Sequence, residues 1–208
     1  MKVLALELSS GQGSIAWLED AREIYLRNFA NNRKHSGLFF ENLQHISRGF
    51  GRPDLIVVGI GPGSYAGVRI AIAAALGLRA ATSAKLAGIP SICAIETAAR
   101  EYCVIGDARR ESFFLGRIRD GRLTEGPSLH SRGDLERKIM ESGVPHYASE
   151  PLPQFPTAVL AYPSAGILAG VARGQIDELA DTPSLEPIYL RAPHITVPKV
   201  APMTAGKR

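Results

Sequence analysis

Cysteine is scarce: Cys93 and Cys103 are the only two in 208 residues. Both lie in apolar runs, with no histidine or third cysteine at metal-ligand spacing. That excludes a disulfide scaffold or a cysteine zinc site and predicts two buried thiols in a reducing compartment. There is also no apolar stretch of about twenty residues free of charge, so no membrane span is expected. The run Val3–Leu6 is broken by Glu7 before a secretory leader could form, and a cytoplasmic location is expected. Charge of one sign is not in excess. The 24 Lys and Arg against 20 Asp and Glu leave +4, too little to argue for nucleic-acid binding by itself. The five histidines, His35, His45, His130, His146 and His194, never fall in a His-x-x-x-His or His-Glu-x-x-His pattern, so no metal site is expected. A P-loop Gly-Lys-Ser/Thr is missing, and Ser64 lies off the Gly-x-Ser-x-Gly pattern of a nucleophile elbow. No catalytic residue is therefore assigned.

What remains is a chain with 45% hydrophobic residues, whose 21 glycines and 14 prolines sit at the ends of apolar runs. This is a folded α/β composition. Residues 3–8, 15–18 and 24–26 read as three consecutive antiparallel strands, the last two flanking the turn Glu19-Asp20-Ala21. Ser36 is placed to cap a helix whose stripe Phe39, Leu43, Ile46, Phe50 follows one face. Residues 54–60 read as a buried parallel strand, 65–81 as a helix apolar on nearly all sides, and 91–95 as a further strand. The second half repeats the theme. A strand from Tyr102 leads to a hairpin about Asp120-Gly121, then a helix capped by Ser131 and stopped by Gly143, a strand at 158–160, and a helix from Ser164 to Arg173. The strand, hairpin, helix, strand order thus occurs twice. The expected division is residues 1–100, residues 101–191, and a loosely ordered tail from 192 to 208.

Two places could meet phosphate. Gly61, Gly63 and Ser64 lie where a strand gives way to a helix, where glycines permit close backbone approach and free helix N–H groups attract anions. The bland alternative is a tight turn with Ser64 as helix cap, the glycines serving only close packing. At the first hairpin, Glu7, Ser9 and Ser10 resemble the phosphate loop of the actin, sugar-kinase and Hsp70 superfamily, with Glu7 where aspartate is usual. Asp107 holds the matching position in the second half. Beside Arg109 and Arg110 it reads more simply as a structural ion pair.

Gly61-Pro62-Gly63-Ser64-Tyr65-Ala66-Gly67-Val68-Arg69-Ile70 closely resembles the Gly-Pro-Gly-Ser-Phe/Tyr-Thr-Gly-Val-Arg-Ile-Gly signature of the bacterial TsaB family, also called YeaZ. Val3–Glu7, His35-Ser36, Asp107-Ala108-Arg109 and Glu186–Arg191 fall in the family's order, so the resemblance spans about residues 1–191. Ala66 for threonine and Ala71 for the closing glycine depart from it, as does Glu7. The resemblance implies two tandem RNase H-like domains of the actin, sugar-kinase and Hsp70 (ASKHA) superfamily. It implies a non-catalytic subunit needed to form threonylcarbamoyladenosine next to the tRNA anticodon. The implied partners are a TsaD-like transferase, which it binds and activates, a TsaE-like ATPase, a second copy of itself when alone, and tRNA reached through the complex. No intrinsic cofactor is implied, and at most weak ATP or ADP binding or a nucleotide at the partner interface. An active ATP-dependent phosphotransferase or ATPase of the same fold is the alternative. Peptidase activity, an old label in this superfamily, finds neither metal ligands nor a nucleophile pair.

The all-round apolar helix 65–81 needs a cover on the side away from the sheet. The helix 36–50 supplies it, or a partner does through Phe39, Leu43, Ile46, Ile70, Ala73, Ala74 and Gly77.

Overall fold

The computed structural model describes residues 1–31, 37–176, 178, 181 and 184–191. Ser36 as a cap and the tail from 192 lie outside these. Two five-stranded mixed sheets are built in the same way. In the first, β1 (Lys2–Glu7), β2 (Gln12–Glu19) and β3 (Arg22–Ala30) are antiparallel, while β4 (Leu55–Gly59) and β5 (Lys85–Ile89) extend the other edge in parallel. The order is β3-β2-β1-β4-β5. The second sheet has β8 (Arg122–Ser131), β7 (Ser112–Arg119), β6 (Glu101–Asp107), β9 (His146–Ala148) and β10 (Val159–Leu160) in the corresponding order. This is the tandem RNase H-like α/β architecture, and the duplication seen faintly in the sequence is a duplication of topology.

Strand alternation sorts side chains onto two faces. Leu4, Leu6, Ile15, Trp17, Ile56, Val58 and Leu86 face one way, against α1 (Gly37–Gly49) and α2 (Tyr65–Thr82). Their neighbours Val3, Ala5, Ala16, Leu18, Leu55 and Val57 face the other way. There they meet α4 (Ala165–Gly174) and the inner face of the second sheet, Tyr102, Val104, Phe114 and Ile118. The outer face of that sheet packs on α3 (Arg132–Ser142) through Leu135 and Ile139. Alpha-4 follows the second sheet in sequence yet packs on the first. Ala165, Leu168, Ala169 and Ala172 form its buried stripe at i, i+3, i+4, i+7. The Ala165 N–H donates to the Ser14 hydroxyl of β2 at 2.8 Å.

The strand expected at 91–95 lies earlier, at Lys85–Ile89, and Ser91–Ala94 is a 3₁₀ turn. Lys-Leu-Ala-Gly-Ile has weak strand propensity; parallel pairing with β4 imposes the conformation. The three-residue β9 is too short to leave a periodic trace in the sequence. Helix α2 spans 18 residues and is apolar enough by composition to match a membrane span. It carries Arg69 and Arg79, however, and lays Gly67, Val68, Ala71, Ile72 and Ala75 on the sheet. Cys93 and Cys103 are buried free thiols, and burial pushes the Cys93 thiol up to about 12.

Candidate functional site

The turn after β1 and the glycine loop after β4 interlock. Ser64 caps α2, its hydroxyl accepting from the Gly67 N–H at 3.2 Å, while its own N–H donates to the Ser9 carbonyl at 2.6 Å. The contact is backbone on backbone. A Cβ on Gly63 would lie 2.1 Å from the Ser9 oxygen, and one on Gly67 2.0 Å from the Leu8 oxygen. The glycines of the signature therefore seat α2 on the first hairpin. Asn31, at the end of β3, holds the same turn, its amide donating to the carbonyls of Leu8 and Ser10 at 2.9 and 2.8 Å. Ser10 is spent inside the turn, its hydroxyl donating to the Gln12 carbonyl at 2.7 Å. Gly61 is fixed by Ser91, the Gly61 N–H donating to the Ser91 hydroxyl and the Ser91 N–H to the Gly61 carbonyl. Neither Asn31 nor Ser91 stands out in the sequence, because their partners are backbone groups distant along the chain.

Glu7 lies beneath this junction and is fully buried. One carboxyl oxygen accepts from the Ser9 N–H at 2.6 Å; the other has no hydrogen-bond partner among the described residues. Burial raises its pKa, with Ser9 and Ser91 pulling the other way. The carboxyl packs on the Gly59 backbone, where an added Cβ would sit 1.7 Å from the unpartnered oxygen. A metal-nucleotide of the kind held by ASKHA enzymes needs a solvent-facing carboxylate and an open phosphate loop. These residues do not fit one: Glu7 is sealed, and Ser9 and Leu8 fill the face that the glycines would offer. Asp107 is tied locally, its carboxylate accepting from the Arg109 N–H at 2.7 Å and from the Arg109 guanidinium at 3.0 Å. Its own N–H donates to Glu150 at 3.0 Å. Among the described residues no group of three His, Cys, Asp or Glu is placed to hold a metal.

The residues expected at a partner surface divide. Phe39, Leu43 and Ile46 are core residues, buried against β2 and β3, and are corrected as surface candidates. Their stripe points inward because the sheet beneath α1 offers Trp17 and Ile15 to cover. Ile70 and Ala74 are half-buried at the edge of the same core, while Ala73 and Gly77 are exposed, with Leu76 beside them. No described residue outside its own helix turn lies within 4 Å of where a Gly77 Cβ would be. The open part of α2 is thus the strip Ala66, Ala73, Leu76, Gly77 and Ala80. Near its start, Tyr65 packs at a tilt against Tyr189 from the segment that follows α4, ring centres 5.7 Å apart. That segment is anchored by Leu185 in the core and by the Ile188 N–H donating to the Ile60 carbonyl at 2.8 Å.

A protein of Pseudomonas aeruginosa described as similar to peptidase YeaZ superposes with a TM-score of 0.74 at 23% identity, covering 91% of this chain and 99% of that one. YeaZ from Pseudomonas aeruginosa gives 0.71 at 22% identity over the same shares. The chain has the YeaZ fold. The resemblance to the TsaB (YeaZ) family read from the motifs is met in three dimensions. Residues 36–136, from the start of α1 through the YeaZ-like glycine loop into α3, match the family described as TsaD: tRNA N6-adenosine threonylcarbamoyltransferase. An uncharacterised protein of Mycobacterium tuberculosis is 33% identical over 145 residues, 67% of this chain and 65% of the relative. The chain therefore spans just under two thirds of the length of that curated relative.

Proposed function

We propose that this chain is a TsaB-type, non-catalytic subunit of the system that forms threonylcarbamoyladenosine in tRNA, acting in the cytoplasm by binding and activating a TsaD-like transferase. What supports the reading is the TsaD-type match over residues 36–136 on a chain with the YeaZ fold. Glu7, Ser9, Ser10, Gly61, Gly63 and Ser64 stabilise the junction between hairpin and helix, and Asp107 stabilises its own turn. None of them acts on substrate. The exposed strip of α2 docks the transferase, or a second copy of this chain when the transferase is absent, since small side chains let a facing helix approach closely. A TsaE-like ATPase completes the assembly. The chain has no intrinsic cofactor, and any nucleotide it meets lies at the partner interface.

Mass spectrometry of tRNA nucleosides tests this. Depletion should abolish threonylcarbamoyladenosine, and restoring the chain should recover it only where the TsaD-like enzyme is present. Unchanged modification after verified depletion overturns the reading. ATP turnover by the purified chain that is lost in Glu7→Ala or Asp107→Ala would instead favour an ATPase.

A further inference from the structure

Tyr65 and Tyr189 are 56% and 46% exposed, although each belongs to an element that is well anchored in the core. Their rings are tilted by 37° at 5.7 Å, and neither residue is buried. The Arg69 guanidinium lies over the Tyr65 ring, 5.0 Å from its centre, and donates to the phenol oxygen. Arg191, two residues beyond Tyr189, reaches the Arg109 carbonyl at 3.5 Å. Neither Arg69 nor Arg191 is in an ion pair among the described residues. Nothing in the hydrophobic core needs this arrangement, because neither tyrosine belongs to a core cluster.

We propose that Tyr65 and Tyr189, with Arg69 and Arg191, form a direct contact site for single-stranded RNA, the unpaired loop of the tRNA substrate. The inference rests on the function proposed above and goes beyond it, since tRNA would otherwise be reached only through the complex. An unpaired base has a π-face that stacks on tyrosine whatever its sequence, and arginine neutralises the phosphate beside it. The two guanidiniums sit on different segments, Arg69 on α2 and Arg191 after Tyr189. That suits two phosphates of one strand rather than the single phosphate group of a free nucleotide. Duplex RNA keeps its bases stacked inside and offers the rings nothing to hold. A protein helix would find its close approach further along α2, at Ala73 and Gly77.

The test is fluorescence anisotropy with the purified full chain and a labelled ten-nucleotide single-stranded RNA, against a duplex of the same length. The wild type should prefer the single strand. Its log affinity should fall with log salt at a slope of about −1.4, for two phosphates at roughly 0.7 each. Tyr65→Ala/Tyr189→Ala should weaken binding at least about ten-fold, the loss of one stacked base, while circular dichroism stays unchanged. Tyr65→Phe/Tyr189→Phe, which retains both rings, should bind like the wild type. Absence of single-strand binding by the wild type, or unchanged affinity in the folded double alanine variant, overturns the proposal. So does AMP competing as well as the oligonucleotide, which would make this a free-nucleotide site. Failure of the tRNA-modification reading is seen separately, in the nucleoside analysis of depleted cells.

Discussion

Ser64 gives its backbone N–H to the Ser9 carbonyl at 2.6 Å, so the start of α2 is occupied by the chain's own first hairpin. In a phosphate-binding loop that donor would face a ligand. The interlock makes the glycine signature a packing device, and packing devices fail sterically. Gly63→Ala and Gly67→Ala should each destabilise the protein by about 3 kcal/mol, as overpacking against immobile backbone does. Gly77→Ala, with open space around it, should not. Urea unfolding monitored by circular dichroism distinguishes them, and equal stability of all three would contradict the interlock.

Glu7 should make stability fall as pH rises. Its folded pKa is raised by burial above the ordinary value of 4.5. The folded state therefore holds its proton more tightly, and the contribution is fully present below the unfolded pKa and lost as pH climbs through the folded one. Each unit of the shift is worth about 1.4 kcal/mol. Glu7→Gln should be more stable than wild type at pH 8 and gain nothing at pH 4. Thermal melts across that range decide it, and a gain independent of pH would show that ionisation is not the cause.

The hairpins of the two sheets turn at Asp20-Ala21 and Asp120-Gly121, all four residues having positive φ. Alanine is the wrong residue for this turn, and at Ala21 φ is +80°. Ala21→Gly, which copies the second hairpin, should stabilise the protein by about 1 kcal/mol and raise the melting temperature by a few degrees. A lower melting temperature would refute the reading of Ala21 as strained.

Ala73→Arg should leave the monomer's melting temperature within about a degree, because the position is exposed. It should weaken association with the TsaD-like partner at least ten-fold by burying an unpaired charge. Ala74→Arg is less clean, since Ala74 packs on the core edge. Titration calorimetry of Ala73→Arg showing unchanged affinity would remove α2 from the interface.

Much of this was legible in the chain. The apolar runs of the first three strands, the caps Ser64 and Ser131, and the stop at Gly143 follow local rules. The strand β5 was not legible, because Lys85–Ile89 is made extended by β4 beside it rather than by its own residues. The apolar stripe of α1 was legible as a stripe, but its direction was not: Phe39, Leu43 and Ile46 turn inward only because Trp17 and Ile15 lie beneath them. Of the site, the glycine signature stood out while its partners Asn31 and Ser91 did not. Ordinary polar residues bonded to distant backbone carry no mark in sequence. Tyr189 could have been noticed only by placing the end of the chain over the start of α2.

The position of α4 has a consequence for how the protein is made. The inner face of the first sheet, Val3, Ala5, Val57 and their neighbours, is sealed by a helix that ends at Gly174. A ribosome that has released only the first hundred residues has therefore delivered a sheet with one greasy side bare. The first half must wait, partly formed and prone to stick, until α4 has emerged as well. Any gene fragment that stops before α4 inherits that same bare side.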